Sequence, residues 1–177
     1  MRTYNRARIP GAIYFFTLTL AERHGNDLLV RHINALRESI QMTKRAHPFS
    51  IEAMVVLPDH LHCLWRLPPD DADFPMRWRL IKSGFSRLVP RADVVSASRL
   101  RKGERGIWQR RYGEHVIRDE RDLRNHLDYI HYNHVKHGYV KRALDWPHSS
   151  FHRYVARGVY PSDWGGSLEG LGSGAGE

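Results

Sequence analysis

The stretch Pro58-Asp59-His60-Leu61-His62-Cys63-Leu64-Trp65 constrains this chain more than any other. In a β-strand, alternate side chains point to opposite faces. His60 and His62 therefore project together, while Leu61, Cys63, Trp65 and Leu67 form an apolar face. The apolar side must pack against a core, which leaves the histidine side for work. Two imidazoles on one strand face can grip a single divalent ion. With 12 histidines in the chain, such a pair also arises readily by chance, so the rest of the sequence has to supply a context.

That context alternates strands and helices. Residues 12–20 are aromatic and β-branched, with Tyr14 and Phe16 opposite Phe15 and Thr17, and read as a strand. Residues 28–46 carry Leu29, Ile33, Leu36 and Ile40 at helical spacing, ended by His47-Pro48. Residues 49–57 predict a second strand, Pro58-Asp59 a tight turn, and residues 61–67 a third strand. A second helix follows over 74–89, stopped by Pro90; residues 94–106 are polar and expected to be mobile. A short strand is predicted at 115–118 and a short element around 149–156. The strongest helix spans 119–137, with Asp119 as N-cap, acids in its first turn and Gly138 at its end. The order fits an α+β fold of ferredoxin-like type, an antiparallel sheet with helices on one face. Residues 1–164 are expected to form one domain, followed by a flexible Gly/Ser-rich tail at 165–177.

Charge narrows the partner. The formal net charge is +9 and the pI about 10.0. Residues 77–111 hold eleven Lys or Arg and two acids, so that segment carries the whole excess, and the remainder balances at seventeen of each. Such a concentration is the footprint of a phosphate-binding surface. Candidate DNA contacts are Arg77, Arg79, Lys82, Arg110 and Arg111 in this segment, Arg118 beyond it, and Tyr4, Arg6 and Arg8 in the basic N-terminus. Trp78, Phe85 and Trp108 interleave with the basic residues and serve either to stack bases or to anchor the core. One cysteine, Cys63, excludes a disulfide framework. No segment reads as a signal peptide or reaches the ~20 apolar residues of a membrane span. A soluble, cytoplasmic protein is expected.

On the strongest helix, Tyr129 and Asn133 lie four apart, hence about 40° apart around the axis and one turn from each other. His126 extends the stripe, and the neighbouring stripe of Leu123, Leu127 and Ile130 is apolar and should dock the helix on the sheet. An Asn133 amide oxygen could complete a His60, His62, Asn133 site with open positions, where a divalent ion would polarise a phosphodiester. Tyr129 is placed to attack such a phosphate, or else packs as an ordinary interfacial tyrosine. Tyr132 lies about 100° from Asn133 and Tyr112 in an irregular stretch; both rank behind Tyr129.

These residues resemble the transposases associated with repetitive extragenic palindromes, a branch of the single-tyrosine HUH transposases. The resemblance runs from about Tyr4 to Trp164. It is carried by Tyr14-Phe15-Phe16-Thr17, Val55-Val56-Leu57-Pro58-Asp59-His60-Leu61-His62-Cys63, Ile107-Trp108-Gln109 and Glu114-His115-Val116-Ile117-Arg118. Most specific is Asp128-Tyr129-Ile130-His131-Tyr132-Asn133, followed by Val135-Lys136-His137-Gly138; Asp145-Trp146-Pro147 and Ser149-Ser150-Phe151 extend it. The resemblance implies that His60 and His62 bind Mg2+ or Mn2+ with Asn133 in the amide-ligand place. It implies that Tyr129 forms a 5′-phosphotyrosine link to single-stranded DNA, and that the substrate is a palindromic-repeat hairpin. Members of the family usually have proline right after the helix asparagine; here that residue is His134. Two alternatives stand beside this: a metal-dependent phosphodiesterase with water as nucleophile, and a non-catalytic module for structured nucleic acid. No membrane partner is expected, and the chain acts as a monomer or a homodimer.

Overall fold

The computed structural model describes residues 8–90, 92 and 95–165. Strand β1 (Ile13–Thr19) lies in the middle of a four-stranded sheet, as its alternating aromatic residues require. β2 (Ser50–Val56) and β3 (His60–Arg66) form a hairpin around Pro58-Asp59, closed by the Leu57 amide donating to the His60 carbonyl at 2.9 Å. β4 (Gly113–Val116) pairs with the outer side of β1. The order is β2-β3-β1-β4 and every pairing is antiparallel, the ferredoxin-like arrangement the element order predicts.

The predicted helix over 28–46 is two helices, α1 (Leu28–Arg31) and α2 (Ile33–Ala46), interrupted at His32. The first turn is held from outside the helix: the Leu29 amide donates to the Pro58 carbonyl at 3.1 Å, tying it to the β2–β3 turn. α2 and α3 (Phe74–Leu88) cover one sheet face. There Leu36, Ile40, Trp78, Ile81 and Phe85 meet Tyr14, Phe16, Cys63 and Trp65, and the rings of Trp65 and Trp78 stack at 4.0 Å. Gly84 permits the close approach of α2 and α3, because a Cβ there would sit 3.1 Å from the Ser39 hydroxyl. The stretch expected to be polar and mobile contains a short helix, α4 (Ala97–Arg101).

α5 (Glu120–Lys136) lies on the other face, where Leu123, Leu127, Tyr129 and Ile130 pack on Phe15, Ala53, Val55, Leu57 and Leu64. The expectation of helices on one face therefore describes α2 and α3 but not the tyrosine helix. The physical reason is that Phe15, Val55 and Leu64 make the histidine face apolar as well, and it too needs a cover. Asp119 caps α5 by accepting from the Asp122 amide at 2.8 Å, and Gly138 ends it at φ +75°. Beyond it, residues 146–150 line the outer edge of β2, with the Val56 amide on the His148 carbonyl and the Ser150 amide on the Met54 carbonyl. α6 (Phe151–Ala156) follows. Among the described residues, no helix is long and apolar enough to cross a membrane.

Candidate metal and nucleophile site between the sheet and the tyrosine helix

Antiparallel register places His60 opposite Thr19 and His62 opposite Thr17, both on β1. The two histidines are buried, with ring centroids 5.0 Å apart. Above them runs α5, and the Tyr129 ring stands edge-on to His62 at 5.1 Å. His137, at the C-terminal end of α5, stands edge-on to His60 at 5.3 Å. Tyr129, Asn133 and His137 are successive members of one i, i+4, i+8 stripe. Asn133 thus lies between two residues that each face the histidine pair, and it is itself buried. The fold brings His60, His62 and Tyr129 together. Sequence reasoning misses His137, although its spacing from Tyr129 and Asn133 carries the signal.

Each strand histidine is held by an oxygen on its Nδ1. Asp59 Oδ1 lies 2.6 Å from His60 Nδ1, and Arg23 Nε donates to Asp59 Oδ2 at 2.7 Å. Thr17 Oγ1 lies 2.8 Å from His62 Nδ1. Burial raises the Asp59 carboxyl, but Arg23 and His60 outweigh it and leave the group below its ordinary range. Burial, reinforced by His60, His137, Lys136 and Arg23, holds His62 well below the usual imidazole range, so its ring is neutral and able to donate a lone pair. His62 Nε2 and both amide atoms of Asn133 are buried without a hydrogen-bond partner among the described residues. Unpaired buried polar atoms cost about 1–3 kcal/mol each, and an ion coordinated there would remove that cost. The donor set therefore fits a divalent metal. Lys136 Nζ sits 5.5 Å from the Tyr129 ring and adds positive charge beside it.

A second cluster lies nearer the start of α5. Potential ligand atoms of His115, Asp122 and His126 fall within 4.8 Å of one another. They already bond among themselves: His115 Nε2 lies 2.8 Å from Asp122 Oδ2, and His126 Nδ1 lies 2.8 Å from the Asp122 carbonyl. His126 also packs on Phe15 at 4.7 Å, and Phe15 in turn stacks on His62 at 5.6 Å. His126 thus adjoins the site without facing the histidine pair.

The rival tyrosines fall away from the site. Tyr112 packs near Phe16 and Trp78 on the opposite sheet face, and Tyr132 lies toward Trp164. Among the candidate DNA contacts, the expectation for Arg77 is corrected. It is 1% exposed, bonds Asp71 through both terminal nitrogens and donates to the carbonyls of His47, Pro48 and Asp73. It is a structural residue. Arg8, Arg79, Arg110, Arg111 and Arg118 are exposed, and Lys82 donates to the Gln109 carbonyl at 2.6 Å. Tyr4 and Arg6 lie outside the described residues. Trp78, Phe85 and Trp108 are core anchors, at 0%, 0% and 6% exposure.

No family model matches the chain. A protein of Haemophilus influenzae named as a REP-associated tyrosine transposase is 45% identical over 168 residues, covering 94% of this chain and 95% of that one. A REP-associated tyrosine transposase of Escherichia coli K12 is 45% identical over 174 residues, covering 98% and 97%. The chain belongs to the REP-associated tyrosine transposases. A solved transposase of this family, bound to a REP hairpin, superposes with a TM-score of 0.85 at 45% identity over 100% of this chain and 98% of that one. The α+β antiparallel fold is thus that of the family. His134, the residue after the helix asparagine, is fully buried and bonds the Ala143 carbonyl through Nε2 at 2.9 Å. α5 accordingly runs on to Lys136 without a break.

Proposed function

We propose that this REP-associated tyrosine transposase nicks and rejoins single-stranded DNA at palindromic-repeat hairpins, with Tyr129 as nucleophile. The observation that carries the reading is the buried Tyr129 ring 5.1 Å from His62, whose Nε2 has no partner among the described residues. Kinship with a transposase solved on a REP hairpin supports the substrate.

His60, His62 and Asn133 would hold Mg2+ or Mn2+, which when bound supplies Lewis-acid polarisation of a phosphodiester. Tyr129 Oη attacks the phosphorus, a new O–P bond forms, and the bond to the 3′ oxygen of the preceding sugar breaks. The phenol loses its proton and the departing 3′ oxygen gains one. The product is a 5′-phosphotyrosine ester that keeps the bond energy, so a 3′ hydroxyl can reverse the step without ATP. Arg8, Arg79, Lys82, Arg110, Arg111 and Arg118, with Tyr4 and Arg6, would neutralise DNA phosphates.

A labelled hairpin with its single-stranded flank, incubated with Mn2+ and run on a denaturing gel, tests this. Wild type should give a covalent adduct, and Tyr129→Phe and a chelator lane should give none. Cleavage without adduct that survives in Tyr129→Phe would instead mark a phosphodiesterase; binding with neither would mark a non-catalytic module.

A further inference from the structure

The side chains that the sequence offers for base stacking, Trp78, Phe85 and Trp108, are buried in the core. Proteins that hold single strands pair positive charge with open aromatic faces, so an open ring has to come from elsewhere. Tyr139 is the one exposed aromatic residue among the described residues, at 43%. The other large hydrophobic residues left exposed, such as Met42 and Leu100, are aliphatic and lack a π face.

Tyr139 lies just past the end of α5. Gly138 turns the chain there at φ +75°, and the Tyr139 amide donates to the His134 carbonyl at 3.0 Å. That turn fixes the backbone, while Trp146 supports the ring at 5.3 Å and 33°. Trp146 is itself anchored, its indole N–H donating to the Val56 carbonyl at 3.0 Å. A ring supported in this way and still open to solvent is pre-organised for a flat partner, because little side-chain freedom is left to lose.

Its position ties it to the site. The Tyr139 and His137 rings lie 6.2 Å apart, and His137 stands edge-on to His60 at 5.3 Å. Aromatic contacts therefore run unbroken from Tyr139 to the histidine pair. Burial and the charge of Asp59, the carboxylate behind His60, raise the Tyr139 phenol above its ordinary range, with Arg23 opposing them. A phenol kept neutral presents its ring face and does not act as a second nucleophile. Lys136 and Lys141, exposed on either side of it in the chain, add positive charge nearby.

We propose that Tyr139 is a stacking platform for a nucleobase of the single-stranded DNA beside the scissile phosphate, holding that base by its face and so positioning the phosphate for Tyr129. The inference rests on the nucleophile reading above.

The test uses the full chain carrying Tyr129→Phe, so that binding is measured apart from cleavage. The labelled hairpin with its single-stranded flank is titrated in Mn2+ and followed by fluorescence anisotropy. Tyr139→Ala and Tyr139→Phe are added to this parent, and each flank nucleotide is in turn made abasic. Tyr139→Ala should weaken binding roughly tenfold, the worth of one stacked base, while Tyr139→Phe should bind as the parent does. At one flank position, losing the base should weaken the parent but leave Tyr139→Ala no weaker than it already is, because both changes remove the same contact. Losses that add at every position would overturn the proposal, as would Tyr139→Phe behaving like Tyr139→Ala. A melting curve checks folding; if Tyr139→Ala is unstable, Tyr139→Leu, which keeps apolar bulk over Trp146 without a π face, is read the same way. Adduct formation by the chain with Tyr129 intact is scored on a denaturing gel. A missing adduct beside intact coupling would sink the nucleophile reading and leave the platform standing, whereas an adduct without coupling would sink the platform.

Discussion

Asp59 and Thr17 each stand behind one ring of the histidine pair, at 2.6 and 2.8 Å from its Nδ1. For Nε2 to offer a lone pair, the Nδ1–H must donate to that oxygen, so these two residues select the tautomer a metal needs. Asp59→Asn and Thr17→Val are each expected to weaken Mn2+ affinity about 10–100-fold. Titration calorimetry reads this, and unchanged affinity in both would show that the rings are oriented without them. At this scale the sequence singled out His60, His62, Tyr129 and Asn133 as candidates because strand and helix periods alone put those residues in pairs. It did not assign Thr17 its role, since only the β1–β3 register brings a residue 45 positions away to His62.

Between elements, the junction of β4 and α5 hangs on one carboxylate. Burial raises the Asp122 carboxyl, but hydrogen bonds from His115 and the Arg118 amide, with the nearby histidine charges, bring it down to about 2. A carboxyl depressed in the folded state stabilises the fold above its unfolded pKa and loses that contribution as pH falls through the folded value. The difference from the ordinary 3.8 corresponds to about 2 kcal/mol at neutral pH. Asp122→Asn should therefore lower stability on that order in urea titrations at pH 7. The gap to wild type should narrow as pH falls from about 4 toward 2, and a gap independent of pH would refute the linkage. Sequence signals found the helix and its Asp119 cap, which are local. They could not reveal that Asp122 reaches across to β4, or that His32 interrupts the helix predicted over 28–46.

One sheet divides the whole molecule into two sides, with the candidate site under α5 and a basic groove beside α3. Arg77 belongs to neither. Its guanidinium joins the end of α2, the loop at Asp71 and the first turn of α3. Arg77→Ala removes one partner of a buried pair, which costs about 3–5 kcal/mol. A large drop in Tm is expected, with DNA affinity retained below the new transition. Weaker DNA binding at an unchanged Tm would return Arg77 to the DNA-binding surface.

Alternation in residues 61–67, the helical stripe from Tyr129 to Asn133 and the charge excess of residues 77–111 singled out the candidate site residues and, with the order of the elements, the fold class, while the spaced motifs carried the family. Those features are local in the chain, because backbone geometry sets their period and composition sets their charge. Only the tertiary structure decided which face each helix covers, which cations are buried and that His137 stands over His60. These depend on packing between segments distant in sequence, and an apolar stripe alone does not say which of two apolar sheet faces it will cover.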